Sequence, residues 1–262
     1  MTEPPVLFER DGAVATIRLN RPDRLNAIDA EGAHLLLDAC RRASREEGLR
    51  ALVLAGEGRA FLAGGDVTAF HEAGDDAPEL VRGLIGLLEE TCQILDRLRV
   101  PVVARVQGAV AGAGMSLMLA ADVVVAADDT RLAFAYTAIG TTPDGGLSWS
   151  LPRAVGLRRA LEIALLGEPI DAQEALRLGL VTKVVPRADL DAETARVVER
   201  LAAGPTQAFA RTRELLRNSW RYTLPEQLAL ERQSFVASAR TADFREGVAA
   251  FVERRRPEFR GR

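Results

Sequence analysis

The sequence predicts an α/β fold that gives way to an all-helical C-terminal region. Three observations carry this. Short apolar runs of strand length alternate with stretches of helical periodicity as far as Val185. From Asp189 onward only helical patterns occur, interrupted at Gly204-Pro205 and Leu224-Pro225. The length, 262 residues, suits one large α/β domain or a core with a small appendage. The chain accordingly divides into a core, residues 1–200, and a helical region, residues 201–262.

Val6 to Arg10 and Ala13 to Leu19 flank Asp11-Gly12, a hairpin signal, with Ala15, Ile17 and Leu19 on one face. Asp29 is placed to cap a helix whose apolar stripe is Ala33, Leu36, Leu37 and Cys40. Ala51 to Leu54 reads as a buried strand ending at Gly56. Val81, Leu84, Ile85, Leu88, Cys92 and Leu95 mark a long amphipathic helix. Val102 to Val106 is a strand, Gly112 to Leu119 a buried helix, and Val123 to Ala126 another strand. Asp171 and Glu174 have capping-box spacing before a helix that Gly179 closes, and Leu180 to Val185 reads as a further strand. No internal sequence repeat is evident.

Composition excludes several classes of function. The chain is 48% hydrophobic and 27% charged, with a net charge of −3 and interspersed signs, so it carries no electrostatic footprint for nucleic acid. The run Arg254-Arg255-Arg256 reads as a solvated helix end. Cys40 and Cys92 fall at apolar helical positions and are predicted to be buried free thiols. Two histidines and two separated cysteines give no metal-ligand spacing, so no metal is expected. The segment Met1-Thr2-Glu3-Pro4-Pro5 lacks the regions of a signal peptide and no apolar run is long enough to cross a bilayer; the chain reads as cytoplasmic, with no membrane partner.

Four segments could carry chemistry. Arg21-Pro22-Asp23-Arg24-Leu25-Asn26-Ala27 joins a strand to a helix. Phe61-Leu62-Ala63-Gly64-Gly65-Asp66 follows a buried strand, and its paired glycines let main-chain N–H groups approach a ligand. In Gln107-Gly108-Ala109-Val110-Ala111-Gly112-Ala113-Gly114-Met115-Ser116 a strand feeds a small-residue loop that opens a helix, and a helix N-terminus offers free N–H donors to an anion. Its spacing also suggests the phosphate loop of short-chain dehydrogenases, but it lies mid-chain and Tyr136 is followed four residues later by Gly140 rather than lysine. Ser116 lacks the Gly-x-Ser-x-Gly elbow of a serine nucleophile. The fourth segment, Ile139-Gly140-Thr141-Thr142-Pro143-Asp144-Gly145-Gly146, contains Pro-Asp-Gly, a favoured turn, so local evidence leaves Asp144 either a turn residue or an acid.

In this order and spacing, the four segments resemble the crotonase (enoyl-CoA hydratase/isomerase) superfamily. The similarity runs from about Val6 to Phe251-Val252-Glu253-Arg254-Arg255-Arg256-Pro257-Glu258-Phe259, which looks like the family's ending. The resemblance implies a spiral of ββα units with a C-terminal helical region, assembled as a homotrimer or dimer of trimers. It implies an acyl-CoA thioester substrate and no separate cofactor, coenzyme A being part of the substrate. Gly65 and Ala113 match the two backbone donors of an oxyanion hole. Arg24, Leu25, Ala27, Ala63, Asp66 and Val67 match positions lining the coenzyme A site. Two such donors would stabilise the charge that develops on a thioester enolate oxygen.

The departures are as informative. Hydratases of the family use two glutamates, at positions where this chain has Ser116 and Tyr136, so water addition lacks its acid and base. Tyr136 is then left as a substrate-binding candidate. Asp144 matches the single acid of several isomerases of the superfamily, and an enoyl-CoA isomerase is the expected activity. Phe61, Leu62 and Phe134 are candidate apolar neighbours that would raise its pKa. Phe70, His71 and Asp75-Asp76 lie where the acyl pocket would be shaped, with His71 expected as an exposed loop residue. Enoyl-CoA hydratase-like activity, hydrolysis, decarboxylation and non-catalytic acyl-CoA binding are the alternatives. Dehalogenation is remote, because the helix from Val81 to Leu98 carries no histidine.

Overall fold

The computed structural model describes residues 3–262. The chain opens with the antiparallel hairpin β1 (Val6–Asp11) and β2 (Val14–Leu19), followed by α1 (Ala30–Arg45). The β2 burial alternates, with Ala15, Ile17 and Leu19 inward, because one face of this strand is solvated. Then come β3 (Ala51–Gly56), β4 (Ala60–Leu62), α2 (Val67–Ala73) and α3 (Ala77–Arg97). The chain continues through β5 (Val102–Val106), β6 (Ala109–Ala111), α4 (Ala113–Ala120), β7 (Val123–Ala127) and β8 (Arg131–Ala133), then α5 (Leu147–Val155) and α6 (Leu157–Leu166). It closes with β9 (Ile170–Asp171), α7 (Ala172–Arg177), β10 (Lys183–Val185) and four helices: α8 (Leu190–Ala202), α9 (Thr206–Asn218), α10 (Leu224–Ala239) and α11 (Ala242–Glu253).

Two sheets result. The larger has order β1-β2-β3-β5-β7-β10 and is parallel from β2 onward; the smaller has order β4-β6-β8-β9. Each of the pairs β3/β4, β5/β6 and β7/β8 gives its first strand to the large sheet and its second to the small one. A helical stretch follows each pair. This is the expected spiral of ββα units, and it repeats in space although the sequence shows no repeat. All six β3 residues are buried, as in a parallel strand covered on both faces. The main core lies between the sheets and α1, α3 and α4; Leu190 and Val198 of α8 cover the other face of the large sheet.

Several predicted details hold. Asp29 caps α1, accepting from Gly32 N at 2.8 Å. Cys40 is buried and Cys92 half-buried, both as free thiols. Other details are corrected. The strand predicted over Leu180–Val185 shrinks to Lys183–Val185, because Leu180 and Val181 turn into the core as the chain leaves α7. Asp171 caps α7 through Glu174 N at 2.8 Å, but the Glu174 carboxylate pairs with Arg177 rather than reaching back. The reciprocal capping box lies instead at Thr223 and Glu226. His71 sits in α2, not in a loop. The residue 200/201 boundary falls inside α8; the helix break is at Gly204-Pro205.

The helices after that break are pinned to the core by charged side chains. Arg213 and Arg217 of α9 both reach Asp122, at 2.6 and 2.8 Å, and Asp122 also accepts from Val102 N. The Arg50 guanidinium donates to Gly204 O, Thr206 Oγ1 and Phe259 O. No described helix is long and apolar enough to cross a membrane.

Candidate active site

The site begins with a segment whose side chains hold main chain in place. After β2 the chain makes a 3-10 turn at Pro22–Arg24 and then places Leu25 and Asn26 at positive φ, 52° and 59°. Asparagine tolerates that conformation better than most residues. Its buried amide stabilises the turn further: Nδ2 donates to Glu57 O and Ala60 O at 2.9 and 2.8 Å, and Oδ1 accepts from Arg21 N at 2.8 Å. The Arg21 guanidinium spans to Ala27 O at 2.6 Å and to Asp66 at 3.4 Å. Arg21 to Ile28 is thereby fastened alongside the end of β4.

That fastening orients Gly65. Ile28 N donates to Gly64 O and Asp66 N to Ile28 O, both at 2.9 Å, making a parallel bridge around Gly65. In such a bridge the central residue's own N–H points away from the partner strand. On the facing loop, Gly112 at φ 51° precedes Ala113, the first residue of α4. The loops approach closely: a Cβ on Gly64 (φ 98°) would sit 3.3 Å from Ala111 O, and one on Gly114 would sit 2.1 Å from Leu62 O. Among the described residues neither Gly65 N nor Ala113 N donates to a protein acceptor. Two main-chain donors, one at a helix N-terminus, thus border one cavity of about 480 Å³.

The acid stands on the same cavity. Asp144 occupies the predicted turn, its carbonyl accepting from Leu147 N at 3.0 Å, and Gly145 follows at φ 54°. A side chain at 145 would run into Ser116 Cβ at 2.8 Å and Leu88 at 3.0 Å, so glycine is required there. The Tyr136 hydroxyl donates to Asp144 Oδ1 at 2.6 Å, and Ser116 Oγ lies 3.1 Å from Tyr136 Oη and 3.0 Å from Asp144 O. Burial pushes the Asp144 carboxyl above the usual range, opposed by the Tyr136 hydrogen bond. Burial, then the Asp144 charge, also raises the Tyr136 phenol. The same two causes push the Cys92 thiol up to about 12.

Of the residues singled out by sequence, Ala63, Gly65, Val67, Ala113, Tyr136 and Asp144 line this one cavity. Arg24, Leu25, Ala27 and Asp66 do not; the first three lie along the fastened segment beside it, with Leu25 O accepting from Ala63 N at 3.1 Å and Arg24 exposed, and Asp66 follows Gly65 and pairs with Arg21. Phe70 and His71 line the cavity as anticipated, whereas Asp75 and Asp76 do not. Phe61, Leu62 and Phe134 are not its wall. All three are buried in the core, and Phe134 instead packs edge-on against Tyr136 with ring centroids 5.3 Å apart. The apolar wall comes from Leu84, Ile85 and Leu88 of α3, with Ile139 from the segment before Asp144. Their signal is the α3 apolar stripe, which marks an amphipathic helix in the sequence without pointing to a cavity. Asn26, Gly64 and Gly112 were also passed over, although each lay within a motif of interest.

Known proteins share this fold. The family model described as enoyl-CoA hydratase/isomerase matches residues 9–262. The chain belongs to the enoyl-CoA hydratase/isomerase family. A Rhodobacter capsulatus protein named "probable enoyl-CoA hydratase" is 42% identical over 260 residues, covering 98% of each chain. The 1,2-epoxyphenylacetyl-CoA isomerase of Escherichia coli is 34% identical over 258 residues, again with 98% of each covered. The crystal structure of an enoyl-CoA hydratase from Polaromonas sp. JS666 superposes with a TM-score of 0.92 at 35% identity, covering 97% of this chain and 99% of that one. Family membership makes the protein an acyl-CoA-processing enzyme with the crotonase fold; the relative at 42% identity carries a hydratase name and the one at 34% an isomerase name.

Proposed function

We propose that the protein is an enoyl-CoA isomerase in which Asp144 is the one acid–base group. The carrying observation is that Asp144 is the sole carboxylate among the described residues lining the cavity that Gly65 and Ala113 also border. The Asp144 carboxylate takes a proton from C2 of a 3-enoyl thioester. The C2–H electron pair moves into the C1–C2 bond as charge passes to the thioester oxygen, where the Gly65 and Ala113 N–H groups stabilise the dienolate. Loss of one such donor costs about 3–4 kcal/mol of transition-state stabilisation. Asp144 then returns the proton at C4, the double bond settles between C2 and C3, and the oxygen charge is discharged. One carboxyl serves because its basic and acidic roles follow one another. Water addition would need a second positioned acid–base group, and Ser116 and Tyr136 offer hydroxyls with no carboxylate.

Arg24, Leu25, Ala27, Ala63, Asp66 and Val67 are assigned to the coenzyme A moiety on the family pattern, and the apolar wall of α3 to the acyl chain. No separate cofactor takes part in the proposed mechanism. Assembly as a homotrimer or dimer of trimers is part of the same reading, supported by the apolar side chains that the C-terminal helices leave in solvent.

Asp144→Asn tests the assignment. The substitution keeps the side chain's shape and leaves the main-chain donors in place. Acyl-CoA affinity should change little, while isomerisation of a 3-enoyl-CoA should fall by about 10²–10⁴-fold. A folded variant with near-wild-type turnover would remove Asp144 from the mechanism.

A further inference from the structure

We propose that Tyr136 is the positioning residue of this site: its hydroxyl clamps Oδ1 of Asp144, so that Oδ2 alone exchanges the proton, and Ser116 holds that hydroxyl in place. The use made of the proton rests on the isomerase reading; the clamp itself does not.

The direction of each hydrogen bond follows from the groups. An ionised carboxylate only accepts, so the Tyr136 hydroxyl is the donor in the 2.6 Å contact with Oδ1. That commits the phenol proton, so Ser116, whose single hydroxyl proton also faces the Asp144 carbonyl at 3.0 Å, is the only possible donor in its 3.1 Å contact with Tyr136 Oη. Its other acceptor, the Asp144 carbonyl, is also served by Leu147 N. Donation from Ser116 polarises the phenol and strengthens its bond to the carboxylate. Oδ2 has no side-chain hydrogen-bond partner among the described residues, and the main-chain N–H of Asp144 favours the charged carboxyl alongside the Tyr136 hydroxyl.

Tyr136 is itself held. Phe134 packs against its ring, Tyr136 N donates to Phe134 O at 2.8 Å, and the residue between them, Ala135, stands at φ 59°. A non-glycine residue there is a strained element that its surroundings must maintain. The clamp also suits both halves of a proton shuttle. A carboxylate oxygen accepts from Tyr136, and after protonation at Oδ2 the carbonyl-like Oδ1 still does. A donor aimed at the charged form also opposes the effect of burial and keeps the base available.

The other titratable side chains facing this carboxyl are few. Cys92 on α3 is neutral because its thiol is pushed up to about 12, and His71 on α2 lines the same cavity. From α4 comes only the hydroxyl of Ser116.

Tyr136→Phe keeps the ring against Phe134 and deletes the donor; Ser116→Ala removes only the outer hydroxyl. The first readout needs no turnover: the Asp144 carboxyl is titrated by carbon-13 NMR in the full unliganded chain, with Asp144→Asn assigning the signal. In Tyr136→Phe the midpoint should rise by about one to two pH units. Ser116→Ala should move it less, in the same direction. The second readout is the pH profile of 3-enoyl-CoA isomerisation. Its acidic limb should move up by the same amount, with kcat reduced up to about 100-fold and KM nearly unchanged. A folded Tyr136→Phe protein with an unmoved midpoint, altered only in melting temperature, overturns the clamp even if the wild type isomerises. A moved midpoint in a protein that isomerises nothing keeps the clamp and overturns the isomerase reading instead.

Discussion

Asp144 is at once a turn residue and a cavity wall, and the two roles have different energetic signatures. Burial raises its folded-state pKa. Between the unfolded value of about 3.9 and that raised value, the native state keeps a proton that the unfolded state has released. Stability therefore falls as pH rises through this window, and the cost is complete above the folded pKa. Asp144→Asn has no such group. In thermal melts from pH 3.5 to 8, the wild type should lose stability relative to the variant across the window, leaving the variant at least as stable at pH 8. A variant less stable at pH 8 than at pH 3.5, relative to wild type, would contradict the assigned burial cost. At this scale the sequence was only partly readable. Pro143-Asp144-Gly145 announced its turn through local backbone preference, and the steric need for Gly145 agrees with it. The Tyr136–Asp144 contact was not readable, because a hydroxyl–carboxylate bond spanning eight residues of irregular chain leaves no periodic trace.

The element that positions the site most directly is the segment from Arg21 to Ile28, and Asn26 is its anchor. Asn26→Ala would leave carbonyls at Glu57 and Phe61 without their amide donor and place alanine at φ 59°. The expected loss is about 1–3 kcal/mol, read as a lower urea midpoint with unchanged slope, together with weaker acyl-CoA binding. Unchanged midpoint and affinity would show that the segment is held by other means. Long, strongly patterned elements such as β2, α1 and α3 were legible because their hydrophobic periods extend over enough residues. The small sheet was not: β4, β6 and β8 have three residues each and β9 two, too short for any period to register. Yet β4 and β6 deliver Gly65 and Ala113 to the cavity. The two glycine loops were recognisable by composition, but their facing one another depends on pairing between segments far apart in sequence. For the same reason the cavity wall was misassigned to Phe61, Leu62 and Phe134: they adjoin the motifs in sequence and point into the core in space.

For the whole molecule, the C-terminal helices leave apolar surface that the core does not use. Phe251 is 85% exposed, and Trp220, Leu224 and Phe235 about 70%. Large apolar side chains left in solvent in this number are costly to solvate and are what the proposed assembly would cover. α9 is tied to Asp122 and the tail to Arg50, so these side chains are presented on an anchored scaffold. Sedimentation at micromolar concentration should show a trimer or hexamer, and a stable monomer would remove assembly from the account.

In the proposed function a single carboxyl moves a proton within an enoyl thioester and does not add water to it. The most direct measurement is mass-resolved product analysis after incubating the wild-type protein with a 3-enoyl-CoA, and separately with the conjugated 2-enoyl-CoA, in deuterated water. The account predicts conversion of the 3-enoyl to the 2-enoyl thioester, carrying at most solvent-exchanged deuterium at the migrating positions, with coenzyme A retained and little hydrated product from either substrate. A 3-hydroxyacyl-CoA formed as fast as the isomer, or release of free coenzyme A in its place, would contradict it.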